Sequence, residues 1–173
     1  KSSFNDLDPA AIERFRMKWR QKSGIQNLDR LSDEQLLTDA ELLVAGKVTY
    51  AALILLGAGQ ALGRHLAQSE VVFEYRSSDA SGPANQRVEH RRGFFLFEDD
   101  LWNTINLRND LQHYQDGLYI WDIPTFREMV VREAVLNAVS HRDYRNGGSV
   151  FIRQYPRRLE IVSPGGFPEG ITP

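Results

Sequence analysis

The sequence predicts an α+β fold from three observations. Helix caps followed by apolar residues at helical spacing fill the first third of the chain. β-branched and aromatic runs typical of strands come after residue 70, and the last 30 residues alternate as a hairpin does. With 173 residues, no cysteine and 25% charged residues, the composition is that of an ordinary globular chain. We predict a small helical segment over residues 1–45 and a mixed sheet with packed helices over residues 46–173.

Three helices are predicted before residue 57, each from its N-cap. Asp8 followed by Pro9 begins the first, Ser32 with Gln35 in a capping box begins the second, and Thr49 begins an apolar third. One face of the first helix is basic, with Arg14, Arg16, Lys18, Arg20 and Lys22. A solvated helix face explains these charges more simply than phosphate contacts do, so direct DNA binding there is the weakest hypothesis.

The remaining elements follow from turn residues and apolar runs. Residues 57–63, which contain three glycines, are predicted to form a loop. Strands are predicted at 71–75, 88–97 and 118–121, helices at 101–109 and at 124–142 with Pro124 first, and hairpin strands at 149–153 and 159–162. Trp19, Trp102 and Trp121 are predicted to be core anchors rather than platforms for stacked bases.

Composition also excludes several classes of function. Without cysteine there are no disulfides, thiol catalysis or cysteine-based metal sites. The net charge of −2 argues against a domain that holds nucleic acid by charge alone. The longest apolar run, which lies within residues 51–58, is too short to span a bilayer, so we expect a cytoplasmic protein. Because the chain begins at Lys1 without methionine and stops soon after a predicted strand, we expect it to be part of a longer protein.

The predicted 124–142 helix carries three polar residues at intervals of four. Glu133, Asn137 and His141 therefore form a ladder along one face. Most other positions are apolar, so the helix is expected to be largely buried, with the ladder facing either solvent or a cavity. Spacing alone favours a solvated stripe over a binding site. At the end of this helix, Arg142 and Asp143 are expected to pair locally or to cap the helix.

Several segments together resemble a known family. The clearest are Arg132-Glu-Ala-Val-Leu-Asn-Ala-Val-Ser-His-Arg-Asp-Tyr144 and Leu159-Glu-Ile-Val-Ser-Pro-Gly-Gly-Phe-Pro-Glu-Gly170, supported by residues 49–57, 71–76 and 147–152. They resemble the RecG-related bacterial and archaeal proteins, described as transcriptional regulators, that carry an AlbA-type (Schlafen-like) domain at their N-terminus. In this region the family is similar to the GHKL ATPases of gyrase and the histidine kinases.

The resemblance implies roles for residues of two motifs. In the ATPases a helical Glu activates water and an Asn four residues later coordinates the magnesium that bridges the phosphates. The matching residues are Glu133 as the catalytic base and Asn137 as the metal ligand. The nucleotide-binding set is Asn137, His141, Ser163, Gly165 and Gly166. Ser163 stands where the ATPases have the Asp that binds the adenine amino group, so this module is expected to be degenerate.

Two functional hypotheses follow. In the first, the chain is part of a DNA-associated transcriptional regulator and carries a partial GHKL-like module that binds ATP with Mg²⁺, the DNA contacts lying elsewhere in the parent protein. In the second, the same residues stabilise a homodimer or an interaction domain that binds no nucleotide. Despite the RecG-related label, the sequence has no G-x-x-x-x-G-K-[ST] motif, so no helicase motor is expected in this chain.

Overall fold

The structure, a computed structural model, describes residues 2–79 and 82–166. Within them it contains six α-helices and eight strands, and the α+β class is confirmed. The helices are α1 (Pro9–Ser23), α2 (Asp33–Asp39), α3 (Tyr50–Leu56), α4 (Gly59–His65), α5 (Glu98–Asn106) and α6 (Glu128–Ser140). The strands are β1 (Leu43–Val44), β2 (Lys47–Val48), β3 (Val71–Tyr75), β4 (Gln86–His90), β5 (Leu111–Asp116), β6 (Tyr119–Pro124), β7 (Val150–Tyr155) and β8 (Arg158–Val162). None of the helices described is both long enough and apolar enough to cross a membrane.

The chain divides into two compact units. The first comprises Lys1–Ser69 with Arg91–Glu98, and the second comprises Glu70–His90 with Asp99–Pro173. This division differs from the boundary predicted at residue 45. The reason is that α3, together with a short 3-10 helix at Phe94–Leu96, packs against α1 and so belongs with the N-terminal helices.

The N-caps of the first unit form at the three predicted residues, but the capping box predicted at Ser32 is only half formed. Asp8, Ser32 and Thr49 each accept a hydrogen bond from a backbone N–H two or three residues later, at 2.8–3.2 Å. The amide of Gln35 donates forward to Asp39 at 2.6 Å, and Gln35 therefore supplies only its backbone to the cap. The helices enclose an apolar core that includes Ile12, Leu36, Leu37, Leu53, Leu56 and Leu62.

The prediction of a loop over residues 57–63 is wrong, because α4 begins at Gly59. This short helix buries Ala61 and Leu62, which are 1% and 2% exposed. Glycine in a helix costs only about 1 kcal/mol relative to alanine. Burial of the apolar face outweighs that cost here.

The basic face of α1 makes ion pairs within the first unit. Arg16, only 6% exposed, lies 2.6 Å from Asp33, and Lys18 lies 3.0 Å from Glu98. Arg20 pairs with Asp29. These carboxylates compete with any phosphate for the same cations, in keeping with a structural role for this face.

A four-stranded sheet organises the second unit. Its order is β4-β3-β7-β8, with β3 and β7 parallel and the outer pairs antiparallel. The sheet packs against α6, which contacts both β7 and β8. The core includes Phe73, Ile105, Val135, Val139 and Ile152. The predicted β7–β8 hairpin is confirmed.

Glu74 is a buried charge of this sheet. It is 5% exposed, and its carboxylate lies 2.8 Å from Arg87, 3.1 Å from Arg76 and 3.3 Å from Arg153. Burial alone would raise the pKa of Glu74. The hydrogen bonds and charges of Arg76 and Arg153 nevertheless hold that pKa below its ordinary value. The carboxylate thus connects β4, through Arg87, with β7, through Arg153, and with Arg76 just after β3.

Several predicted boundaries differ from those in the structure. The strand predicted over residues 88–97 ends at His90, and the helix predicted over residues 101–109 begins at Glu98 and ends at Asn106. The strand predicted over 118–121 is the longer β6, which pairs with β5, a strand that the sequence did not predict.

The helix predicted from Pro124 begins four residues later, at Glu128. Pro124 is instead the last residue of β6, opposite Leu111, a strand-end position where the missing proline N–H is tolerated.

The predictions of buried tryptophans are partly confirmed. Trp102 is a core residue as predicted, being 8% exposed, whereas the prediction fails for Trp121 on β6, which is 58% exposed.

Candidate functional site

A pocket lies beside the C-terminal half of α6, in the second unit. Its lining consists of Asn137, Ala138 and His141 from the helix and its cap, together with residues 163–166, which follow β8. The pocket has a volume of about 450 Å³. It is therefore large enough for a small organic ligand or a nucleotide, since such pockets span roughly 300–1,000 Å³.

Two hydrogen bonds fix the segment after β8 against the end of α6. The Ser163 hydroxyl donates to the carbonyl oxygen of Ala138 at 2.9 Å. The backbone N–H of Asp143 donates to the carbonyl oxygen of Pro164 at 3.0 Å. Hydrogen bonds therefore join the two walls of the pocket, which are the end of α6 and the segment after β8.

Gly165 is required at its position by both conformation and space. Its φ of +128° lies in a region that residues with a Cβ rarely adopt. A Cβ at this position would lie 3.3 Å from both the Cβ and the backbone nitrogen of Asp143. The close approach between the segment after β8 and the end of α6 therefore depends on glycine here.

The loop after α6 is organised by Arg142 and Tyr144. Arg142 is 5% exposed, donates to the carbonyl oxygens of Asn146 and Gly148, and stacks over the Tyr144 ring at 4.9 Å. Burial lowers the pKa of Arg142. The Tyr144 hydroxyl donates to the carbonyl oxygen of Val139 at 2.7 Å, which attaches the loop to the helix.

Asp143 forms a turn with the residues that follow it. Its carboxylate accepts from the backbone N–H of Arg145 at 2.9 Å and from the Arg145 guanidinium at 3.0 Å. These hydrogen bonds hold the pKa of Asp143 below its ordinary value. Arg142 and Asp143 thus make the local structural contacts expected of them, but the ion pair of Asp143 is with Arg145.

The structure brings most of the predicted site residues together. Asn137, His141, Ser163, Gly165 and Gly166 all line the pocket. Gly166 is the last residue described, and the rest of the predicted 159–170 motif lies outside the described residues.

Glu133 lies apart from this group. It is exposed, one helical turn before Asn137 and so about 6 Å further along the axis. The helix face that carries Glu133, Asn137 and His141 is open to solvent, and only its C-terminal part borders the pocket. The three residues do share one face of α6 and its cap, as predicted, but they do not all line one binding pocket.

Metal binding would depend on Asn137. Among the described residues no cluster of three His, Cys, Asp or Glu side chains could hold a metal ion. Mg²⁺ in nucleotide sites takes one or two protein oxygens and completes its shell with phosphates and water. The amide oxygen of Asn137 fits this pattern but does not make a metal site without a phosphate ligand.

Two hydrogen bonds in and beside the pocket were not predicted from the sequence. The Ser163 hydroxyl reaches Ala138 from 25 residues away in sequence, and the Tyr144 hydroxyl attaches the neighbouring loop to Val139 at the end of α6. The signal available in the sequence was the Ser-Pro-Gly-Gly run after a strand, which indicated a tight turn but not its partner.

The chain is similar to a described domain family and to a solved protein structure. A family model described as a domain of unknown function (DUF8451) matches residues 1–72. The solved structure is that of the DIP2311 protein from Corynebacterium diphtheriae, with a TM-score of 0.78 and 26% identity over 99% of the chain. The chain spans about a third of the length of that protein, 33%. No curated protein matches.

Proposed function

We propose that the pocket beside α6 binds a nucleotide together with Mg²⁺. We further propose that the chain belongs to a cytoplasmic, DNA-associated regulator of the RecG-related, AlbA-containing family, with the DNA contacts in other parts of a longer protein. The observation that carries the nucleotide proposal is the meeting of Asn137 and His141 with the glycine-containing segment 163–166 at one pocket.

The two walls of the pocket offer complementary chemistry. Asn137 and His141 belong to a regular helix and its cap, so the spacing of their backbones is fixed. On the other wall Gly165 and Gly166 have no side chains, which lets a ligand approach the backbone closely. Polar side chains facing an exposed backbone are typical of phosphate-binding sites.

The hydroxyl of Ser163 is suited to an acceptor role. Because its hydrogen is donated to the carbonyl oxygen of Ala138, the lone pairs of Oγ remain for a ligand. An exocyclic amino group such as that of adenine is the complementary donor. This arrangement supports base recognition by Ser163 even though the GHKL ATPases use a carboxylate at the matching position.

Asn137 is the residue proposed to hold the metal. A bound Mg²⁺ would neutralise charge on the nucleotide phosphates. Glu133 is exposed, lies one turn away and is not part of the pocket lining. The proposal is therefore binding, and the role of Glu133 as a catalytic base stays a prediction for a full-length ATPase.

Calorimetry of the 173-residue chain tests the nucleotide proposal. We expect Mg-ATP to release or absorb measurable heat, with binding weakened at least tenfold in Asn137→Ala and by removal of Mg²⁺ with a chelator. Asn103→Ala is the matched control, because Asn103 is an exposed asparagine on α5 and does not line the pocket. Equal binding by both variants, or no heat with the unmodified chain, would refute the proposal in favour of a module that binds no nucleotide.

A further inference from the structure

The β5–β6 hairpin exposes an unusual amount of apolar surface. All six residues of β5 and the first five of β6 are exposed to solvent. Within the described residues the two strands form a sheet of their own, with no third strand. A two-stranded hairpin is at best marginally stable in water unless something packs on it. The hairpin therefore has the properties of an interaction element.

The strand register sorts the hairpin residues onto two different faces. Tyr114 lies opposite Trp121, with Tyr119 and Ile123 further along the same face of β6. We call these four residues the aromatic face. Gln112 and Asp116 lie beside it on β5, one at each end. The opposite face has no aromatic ring other than His113 and carries the pairs His113–Asp122, Gln115–Ile120 and Leu111–Pro124.

The three aromatic side chains supply a large part of the area that a protein interface needs. Tyr114, Tyr119 and Trp121 are 59%, 71% and 58% exposed. An aromatic side chain buries roughly 150–250 Å², so the three expose about 300–450 Å² together. Two such faces would remove about 600–900 Å² from water before Ile123 and the turn are counted. The total approaches the roughly 1,200 Å² at which specific protein interfaces begin.

The charges near the hairpin limit what can cover it. Residues 110–124 contain three aspartates and neither lysine nor arginine. A surface that binds single-stranded nucleic acid combines aromatic residues with positive charge, and binding to anionic lipid also needs basic residues. Within the hairpin the aromatic face has a single carboxylate beside it, that of Asp116 at one end, and no cation, so it suits the apolar surface of a second copy of the chain.

We propose that the aromatic face is an interface between two copies of this chain, packed face to face about a two-fold axis. In an antiparallel arrangement the Asp116 end of one hairpin lies against the Gln112 end of the other. The two Asp116 carboxylates are then kept apart, and the apolar residues meet at the centre. Such an isologous contact, with a buried aromatic centre and a polar rim, has the composition typical of homodimers. It uses none of the pocket residues, so it is independent of the nucleotide proposal.

Sedimentation equilibrium of the 173-residue chain over a range of micromolar concentrations tests this interface. We expect a reversible monomer–dimer equilibrium, weakened at least tenfold in the double variant Tyr119→Ser/Trp121→Ser. Ile120→Ser is the matched control: Ile120 is 69% exposed on the same strand but lies on the opposite face, so its dimer should keep the affinity of the unmodified chain.

Two further measurements make the outcome decisive. Far-UV circular dichroism should show that the variants keep the fold, since the replaced side chains are exposed. Fluorescence of Trp121, obtained as the difference from Trp121→Phe, should shift to shorter wavelength as the concentration rises. A chain that stays monomeric throughout, or a dimer equally stable in the double variant, would overturn the proposal. Nucleotide binding should be the same in all variants.

Discussion

The two β-hairpins of the second unit have the same local design but different surroundings. In each, two antiparallel strands are joined by a two-residue turn, Gly117-Leu118 in β5–β6 and Pro156-Arg157 in β7–β8. Alternate residues of β7 are buried, and Ile152 is fully so. Every residue of β5 is exposed.

The difference shows that the pairing of two strands and their burial have separate causes. In both hairpins a two-residue turn brings the two strands together locally. Stability comes from the third strand and the covering helix, which β7 finds in β3 and α6. β5–β6 keeps its apolar residues in solvent, where they are available to a partner. Matched substitutions in the two hairpins should therefore differ in their energetic cost.

The largest expected difference is between two isoleucines, one in each hairpin. Ile152→Ala should lower the free energy of unfolding by about 2–5 kcal/mol, because it leaves a cavity in the core. Ile120→Ala, at a position 69% exposed, should change it by less than about 0.5 kcal/mol. Urea denaturation measures both at a concentration where the chain is monomeric. Similar losses would show that β5–β6 is as much a part of the core as β7.

A smaller difference is expected between two paired carboxylates. Glu74→Gln removes the charge that three arginines share in the four-stranded sheet and should cost about 1.5–3 kcal/mol. Asp122→Asn removes an exposed partner of His113 in β5–β6 and should cost less than about 1 kcal/mol. The same denaturation experiment compares them, and a larger cost for Asp122→Asn would contradict the comparison.

The effect of Glu74 should also depend on pH. Its pKa is lower in the folded chain than its ordinary value of about 4.3, so the carboxylate stabilises the fold fully above that value. The contribution is lost as the pH falls through the folded pKa. The stability difference between the unmodified chain and Glu74→Gln should therefore shrink below about pH 4. A difference that grows with acidification would show that the sign is wrong.

Local signals were sufficient for the elements that carry their own caps or turns. The helices begun by Asp8, Ser32 and Thr49, and the β7–β8 hairpin, could all be predicted from adjacent residues. The helix α4 and the strand β5 could not. Glycines in α4 and the glutamines and histidine in β5 are poor local signals for those structures. In α4 tertiary burial decides the structure, and in β5 pairing with β6 decides it.

The two motifs of the candidate site could be predicted from the sequence, but the way they pack against each other could not. Spacing placed Glu133, Asn137 and His141 on one helix face, which the structure shows. Whether Glu133 reaches the pocket depends on how far the segment after β8 extends along α6. That extent is set by the contacts of Ser163 with Ala138 and of Gly165 with Asp143, and no local pattern encodes them.

The smallest expected effect concerns the turn of β5–β6. Gly117 has a φ of +59° and open space where a methyl group would lie, so Gly117→Ala strains only the backbone, by about 1 kcal/mol. Arg157→Ala is the control, because neither residue of the β7–β8 turn has a positive φ. Hydrogen exchange of the β5–β6 amides should quicken about fivefold in Gly117→Ala, while exchange in β7–β8 stays unchanged. If the glycine replacement quickened exchange equally in both hairpins, they would open as one cooperative unit, and the independence of β5–β6 from the core would be refuted.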